Sequence, residues 1–259
     1  MSLPVHLVPT LAGVGVGAEV TVEGDEAHHA VAVRRLRVGE HLVLTDGAGT
    51  SVRAVVSDTG KRTLTAIVEE VTRRERPAPE VVVVQAIPKG DRGELAVEVL
   101  TEIGVARVVP WAAARSVAIW KGERAAKSLA RWRSTAREAA KQARRSWFPE
   151  VAEPATTPAV AALVGDADLA VVLHEEASAS LTTVDVPATG TVVVVVGPEG
   201  GLTPEEVATL EAVGAVSVRL GAEVLRTSTA GVAAVSALLS RTPRWRHHGP
   251  EHQGLSGSS

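Results

Sequence analysis

Residues 192–196 are five consecutive valines, and the chain passes from them straight into "GPEGGLTPEE". A β-branched run without polar alternation has no face to offer water, so it suits a strand covered on both sides. The stretch "EVVVVQAI" at 80–87 has the same character. Two such strands call for a parallel sheet with helices packed on each face, the layout of an α/β domain. The glycines and prolines after the valines end the strand abruptly, and a helix starts at once. Thr203 with Glu206 three residues on is a capping box, and Pro204 occupies the first helical position.

Between 80 and 245 strand and helix signals alternate. Asp91 and Glu94 mark a helix start, Leu95, Val99 and Ile103 its apolar stripe, and Gly104 its stop. Then come strand "ARVVPWA", a long helix near 122–146, strands "ADLAVVLHE" and "GTVVVVVG", helix "PEEVATLEAVG", strand "VSVRLG" and helix "TAGVAAVSALLSR". Residues 1–75 differ, with short runs such as "AEVTVEG", "EHLVLTD", "TSVRAVVSD" and "LTAIVEEV" divided by turn residues. They predict a small β-barrel, interrupted by one helix at "DEAHHAVAVRRL" with Asp25 as its cap. Pro77 and Pro79 make a linker. The expected organisation is a barrel domain at 1–75, an α/β domain at 80–245, and a polar, glycine-rich disordered tail at 246–259.

A chain of 259 residues with 45% hydrophobic content can build two such cores. It has no cysteine, which excludes disulfides, a thiolate nucleophile and cysteine zinc sites and fits a reducing cytosol. The start "MSLPVHLVPT" lacks a cationic lead and an apolar core, and no apolar run approaches the roughly 20 residues of a membrane span. A cytoplasmic protein without a membrane partner is expected. The net charge of −3 does not advertise nucleic acid, so any such partner must act through local clusters.

Gly197, Gly200 and Gly201 let the backbone turn sharply and lie close to a ligand. A tight strand-to-helix turn is the plain alternative. Phosphate loops fit poorly, because neither "GxxxxGK[ST]" nor "GxGxxG" occurs and Glu199 would repel a phosphate. A second loop, "LGAEVLRTSTA" at 220–230, also follows a short strand and enters a helix through Thr227, Ser228 and Thr229, each a possible cap. A third strand ends in Leu173, His174 and Glu175. In a parallel sheet three such strand ends meet at one crevice, where ligands bind.

"GPEGGLTPEE" followed by "LGAEVLRTSTA" resembles the signature of the SPOUT class of methyltransferases, and more closely that of the bacterial 16S ribosomal RNA uracil-N3 methyltransferase family, RsmE. "HHAVAVRRLRVGEHLVLTDGAG", "PKGDR", "TEIGV", "ARSV", "EAAKQARR" and "LHE" fall in that family's order, so the resemblance spans nearly the whole chain. At the places of Glu223 and Ser228 the family often has arginine and glutamate. The resemblance implies a C-terminal trefoil-knot domain, an N-terminal PUA-like RNA-binding domain, an obligate homodimer, and S-adenosylmethionine held bent by three loops. The first loop supplies Leu173, His174 and Glu175. The second supplies Val196, Gly197, Pro198, Gly200 and Gly201. The third supplies Leu220, Gly221, Val224 and Leu225, with Thr227, Ser228, Thr229 and Ala230 after them. Backbone groups of Gly197, Gly201, Leu220, Leu225 and Ser228 are placed to recognise adenine, and Glu199 is tolerated near a sulfonium.

Between Lys121 and Arg145 lie nine lysines and arginines against two glutamates. Leu129, Trp132, Ala136, Ala139, Ala143 and Trp147 repeat at helical spacing, so this is an amphipathic helix with a cationic outer face. Arg137, Lys141, Gln142 and Arg144 read as phosphate contacts on that face, with a solvated surface helix as the alternative. Trp132 and Trp147 lie on the apolar stripe and read as core or dimer anchors. Arg34, Arg35 and Arg37, with His29 before them, form a second basic segment, which the PUA-like resemblance turns into an RNA-reading edge. The resemblance adds Lys89, Arg92 and Arg115 to the RNA side. His28 and His29 have no partner at ligand spacing, so no metal is expected.

Methylating uracil N3 requires the weakly acidic N3 proton to leave, so either a base removes it or a cation stabilises the ring anion. Arg226 is the candidate for the cation or for orienting the substrate, and Glu199 for the base; both also fit structural roles. The expected partner is 16S ribosomal RNA or the assembled 30S subunit. A knotted enzyme acting on transfer RNA and an RNA-binding protein without catalysis are the alternatives.

Overall fold

The structure is a computed structural model that describes residues 3–118 and 120–245; the tail expected at 246–259 lies outside the described residues. The first part comprises β1 (Val5–Leu7), β2 (Glu19–Glu23), α1 (Gly24–His28), β3 (His41–Thr45), β4 (Thr50–Thr59) and β5 (Thr63–Arg73). Helix α1 runs on into a single π turn at His29–Val33. The strands form one sheet in the order β1-β3-β4-β5-β2, antiparallel except where β1 lies parallel to β3. It curls as a half-barrel with β1 and β2 at its edges. Burial alternates as the sequence alternates: Val52, Ala54 and Val56 of β4 and Leu64, Ala66 and Val68 of β5 face one core. Asp25 does not cap α1. Glu23 holds the cap position, and Asp25 sits in the first turn, paired with Arg62 across the surface.

The second part comprises β6 (Glu80–Ala86), α2 (Arg92–Glu102), β7 (Arg107–Trp111), α3 (Gly122–Gln142), β8 (Glu150–Val151), α4 (Thr157–Gly165), β9 (Leu169–Leu173), β10 (Ala179–Ser180), β11 (Thr191–Val196), α5 (Pro204–Glu211), β12 (Val216–Arg219) and α6 (Thr227–Leu239). Its strands make a parallel sheet in the order β10-β12-β9-β11-β6-β7-β8. The valine runs lie at the centre, Val194 beside Val83 and Val171. Alternate residues serve two cores. Val81, Val83, Val192 and Val194 pack with α2, α3 and α6, whereas Val82, Val84, Val193 and Val195 pack with α4 and α5.

The helices depart from their sequence readings in three places. Helix α2 is turned so that Ala96, Val97, Leu100 and Thr101 are buried, which leaves Leu95 45% exposed and Val99 at the margin. Asp91 holds the cap position without a side-chain cap bond. Helix α3 stops at Gln142, short of 146, because Arg144 adopts φ +53°. The N–H groups of Arg144 and Arg145 return to the carbonyls of Lys141 and Ala140 at 3.1 and 3.0 Å, the Schellman pattern of a helix end. Ala143 is exposed there, off the expected apolar stripe. Helix α4, uniformly apolar and nine residues long, carries no periodicity to announce it.

Candidate functional site

The carboxyl ends of β9, β11 and β12 open together onto one crevice of about 820 Å³. Strands β12, β9 and β11 are neighbours in the sheet though not in sequence, so three distant loops face each other.

The loop after β11 turns at Gly201, where φ is +73° and the N–H returns to Pro198 O at 2.9 Å. A side chain there would be strained. The capping box beyond it is formed as the sequence spells it, with Thr203 N–H to Glu206 Oε2 at 3.0 Å and Glu206 N–H to Thr203 Oγ1 at 3.2 Å. Glu206 Oε1 also accepts from Ala114 N–H at 2.8 Å, so α5 is tied to the segment after β7. From that segment Arg115 Nη1 donates to Gly200 O and Leu202 O at 3.3 and 3.2 Å. A Cβ on Gly200 would meet Arg115 Cβ at 3.2 Å and Arg115 O at 3.3 Å, so Gly200 backs onto this brace.

The loop is exposed from 221 to 226, and Val224, at 77%, leaves apolar surface on the crevice wall. Among the described residues no backbone N–H of 220–226 is donated within the protein. None of the three hydroxyl residues caps α6. Arg226 takes the cap position, Thr227 and Ser228 are buried inside the first turn, and Thr229 Oγ1 folds back to Arg226 O. Beneath them lies Gln85, fully buried at the end of β6, its Nε2 donating to Ala86 O at 3.1 Å and Thr227 O at 3.3 Å. Gly231 lets α6 approach the sheet, since a Cβ there would sit 3.3 Å from Val196 and from Leu100.

The loop after β9 is pinned by His174, whose N–H bonds Val218 O at 3.0 Å and whose Nδ1 accepts from Glu176 N–H at 3.2 Å. Of the residues expected to hold a cofactor, Leu173, His174, Glu175, Val196, Gly197, Pro198, Gly200, Gly201, Leu220, Gly221, Val224, Leu225, Thr227 and Ala230 line the crevice; Ser228 and Thr229 do not. Arg226 and Glu199 line it as well, with Lys89, Arg92 and Arg115 beside them. Glu199 Oε1 faces the N–H of Lys89 at 3.4 Å. Sequence reasoning missed Leu202, Val218, Arg219, Ala222 and Glu176 on the walls. The strand-end signal that selected 173–175 applies equally to 218–219.

The chain matches a family model described as an RNA methyltransferase domain over residues 74–239 and one described as an RNA methyltransferase PUA domain over 22–69. It is 46% identical over 233 residues to the ribosomal RNA small subunit methyltransferase E of Mycobacterium bovis, covering 88% of this chain and 89% of that protein. The chain belongs to the ribosomal RNA small subunit methyltransferase E family. The Bacillus subtilis member is 32% identical over 86% of this chain and 90% of its own length. A crystal structure of the Neisseria gonorrhoeae member, bound to S-adenosyl methionine, superposes with a TM-score of 0.82 at 27% identity, covering 92% of this chain and 98% of that one. The fold class is accordingly the SPOUT trefoil-knot α/β domain with an N-terminal PUA-like domain, as the family resemblance implies.

The remaining basic residues lie outside the crevice. Arg34, Arg35, Arg37, Arg137, Gln142 and Arg144 are exposed. Lys141 is not: at 7% exposure its Nζ is 2.8 Å from Glu26 Oε1 and 2.9 Å from Glu138 Oε1, so it is no free phosphate contact. His29 also turns inward, its ring 5.9 Å from that of His6, and burial and the Lys141 charge lower its pKa below the ordinary histidine value. Arg145 leaves the outer face to donate to Thr101 O and Val105 O at 2.9 and 2.7 Å. Burial, then the neighbouring Arg244, pushes its pKa down to about 10. Trp132 is buried and meets Trp120 edge-on at 5.0 Å. Trp147 Nε1 donates to Arg74 O at 2.9 Å, which joins the two parts of the chain. Among the described residues no three His, Asp or Glu side chains cluster closely enough to hold a metal ion.

Proposed function

We propose that this chain transfers the methyl group of S-adenosylmethionine to N3 of a single uridine, position 1498, in the 16S RNA of the small ribosomal subunit. The observation that carries the reading is the convergence of the 173–175, 197–201 and 220–230 segments on one crevice in a member of this family. The crevice suits such a cofactor: main-chain donors at 220–226, without partners among the described residues, can recognise a purine edge, and Leu173, Val196, Leu202, Leu220 and Leu225 offer apolar wall for a flat ring. The lining mixes Glu175, Glu176, Glu199 and Glu223 with Lys89, Arg92, Arg115, Arg219 and Arg226, which suits a zwitterionic cofactor beside a polyanionic substrate. When bound, S-adenosylmethionine supplies an electrophilic methyl on a sulfonium.

Arg226 stands at the start of α6 without a salt bridge among the described residues, so its guanidinium is available to orient the uracil and to stabilise charge as N3 loses its proton. Glu199, which also lines the crevice and accepts from Lys89 N–H, takes the base role. The exposed arginines at 34–37 and on α3 grip phosphates, so domain 1–75 and domain 80–245 both contact RNA while the latter carries catalysis, and two copies pair in the cytoplasm.

Mass spectrometry of small-subunit RNA from a strain lacking the gene tests the reaction: one methyluridine should vanish and return on complementation. An unchanged methyluridine, or a loss confined to transfer RNA, would overturn the reading. Arg226→Ala should lower single-turnover methylation by about 100-fold while RNA and cofactor affinities stay within about threefold. Gly221→Val tests the crevice itself. The only atom within 4 Å of a Cβ there is Glu223 Oε2 at 3.6 Å, so the fold should survive while S-adenosylmethionine affinity falls.

A further inference from the structure

Lys141 is the one cation of the α3 basic segment that the structure buries against carboxylates of both parts of the chain. Its Nζ bonds Glu26 of α1, 115 residues away, and Glu138 of its own helix. The second Glu26 oxygen, Oε2, lies 3.4 Å from Nδ1 of His6, which is 1% exposed on β1. Glu26 is rigidly connected to the exposed arginines that follow it. The π turn at His29–Val33 continues α1, Ala27 and Ala30 are fully buried beneath it, Arg34 N–H bonds His29 O at 2.9 Å, and Leu36 N–H bonds Ala30 O at 3.1 Å. At Arg35 the chain turns with φ +58°, and Arg37 N–H is held by Glu40 Oε2 at 3.0 Å. On the other side, Arg137 on α3 and Arg144 just past its end flank Lys141 and face solvent.

We propose that the pair of half-buried Glu26 and buried Lys141 is a positioning latch, holding the 34–37 arginine segment in fixed relation to the outer face of α3 so that both grip the same RNA as one surface. The proposal rests on the reading of those segments as phosphate-binding. The latch differs from a phosphate contact in sign. Glu26 carries negative charge beside a basic surface, so by electrostatics alone its removal should strengthen RNA binding. As a latch, its removal should weaken it.

The test is filter binding of naked small-subunit ribosomal RNA to the full chain and to Glu26→Gln, Lys141→Met, Glu26→Gln/Lys141→Met and Arg34→Ala/Arg35→Ala, with S-adenosylmethionine affinity measured beside it. Glu26→Gln should bind RNA about tenfold more weakly, the order of one or two lost phosphate contacts, despite its higher net positive charge. Lys141→Met should fall by a similar factor, and the double variant no further, because one interaction is being removed twice. Cofactor affinity should stay unchanged in all of them, since none of these residues lines the crevice. The double variant removes both charges of the pair, so it reads the latch even where Glu26→Gln alone folds poorly. RNA binding by Glu26→Gln equal to or tighter than the parent, or singles whose effects multiply in the double, would overturn the latch. If Arg34→Ala/Arg35→Ala also binds normally, the phosphate-binding reading falls and takes the latch with it. If only that control weakens, the RNA surface stands and the latch alone is refuted.

Discussion

The half-barrel and the parallel sheet are both built from valine-rich strands, yet they spend their side chains differently. In β4 and β5 every second residue faces water, and a single core forms on one side. In β6 and β11 both sets are buried, and the sheet separates two cores. The consequence is a division of labour. A strand covered on both faces has only its ends free, so the crevice forms among the loops beyond β9, β11 and β12. A strand with one wet face can carry contacts along its length and edges, which suits a surface for a long polyanion. At the seam side chains of one region complete the other: Lys141 meets Glu26, and Trp147 donates to Arg74 O.

The sharpest way to break this contrast is to put the same charge on each sheet. Val194→Asp places a carboxylate at 0% exposure in the core beneath α2, α3 and α6 and should cost more than about 4 kcal/mol, enough to unfold the parallel-sheet region. Ile67→Asp, on the wet face of β5 where Ile67 is 40% exposed, should cost less than about 1 kcal/mol. Urea unfolding of the two variants reads both; similar midpoints would mean the sheets are not covered as described. Next in size, Leu100→Ala should lose about 2–5 kcal/mol from the α2 core face, whereas Leu95→Ala should lose under about 1 kcal/mol although it lies on the stripe the sequence suggests. Equal losses would restore that stripe.

The seam has its own acid signature. Burial pushes the Glu26 carboxyl up, but hydrogen bonds from His6 and Lys141 outweigh it and hold the pKa at about 2, below an ordinary value of 4.5. The folded state thus favours the ionised form. Its contribution to stability is present in full above pH 4.5 and is lost progressively as pH falls toward 2. Urea midpoints measured between pH 6 and pH 3 should fall in the parent and fall less in Glu26→Gln; parallel curves would remove the pair from the acid response. The smallest effect belongs to the loop itself. Thr203→Ala removes half of the capping box and should cost about 1 kcal/mol, with a larger relative effect on S-adenosylmethionine affinity than on stability because α5 begins at the crevice.

Much of the site was legible because its signals are local. Thr203 and Glu206 cap a helix with partners three residues apart, and Gly201 needs its positive φ whatever surrounds it. Such features survive translation from sequence to structure since no distant group can reassign them. The α6 cap was misread for the opposite reason. Thr227 and Ser228 offer cap chemistry, but the close packing of Gly231 on Val196 and the Gln85 amide on Thr227 O draw them inside, and the helix begins one residue earlier than a free cap would start it.

What the sequence by itself determined is the alternation of buried strands with helices, the loops that punctuate them and, through two linked motifs, the family. What only the tertiary structure decided is which loops meet and which way long side chains turn. Helical period sets a face but not its partner: the α2 stripe moved from Leu95 to Ala96 and Leu100 once α3 and α6 packed on it. Lys141 and Arg145 read as outer-face cations until acceptors arrived from Glu26, 115 residues away, and from Thr101 and Val105, 44 and 40 residues away. A flexible charged side chain goes to whichever acceptor lets it leave water at least loss, and the fold alone brings those acceptors within reach.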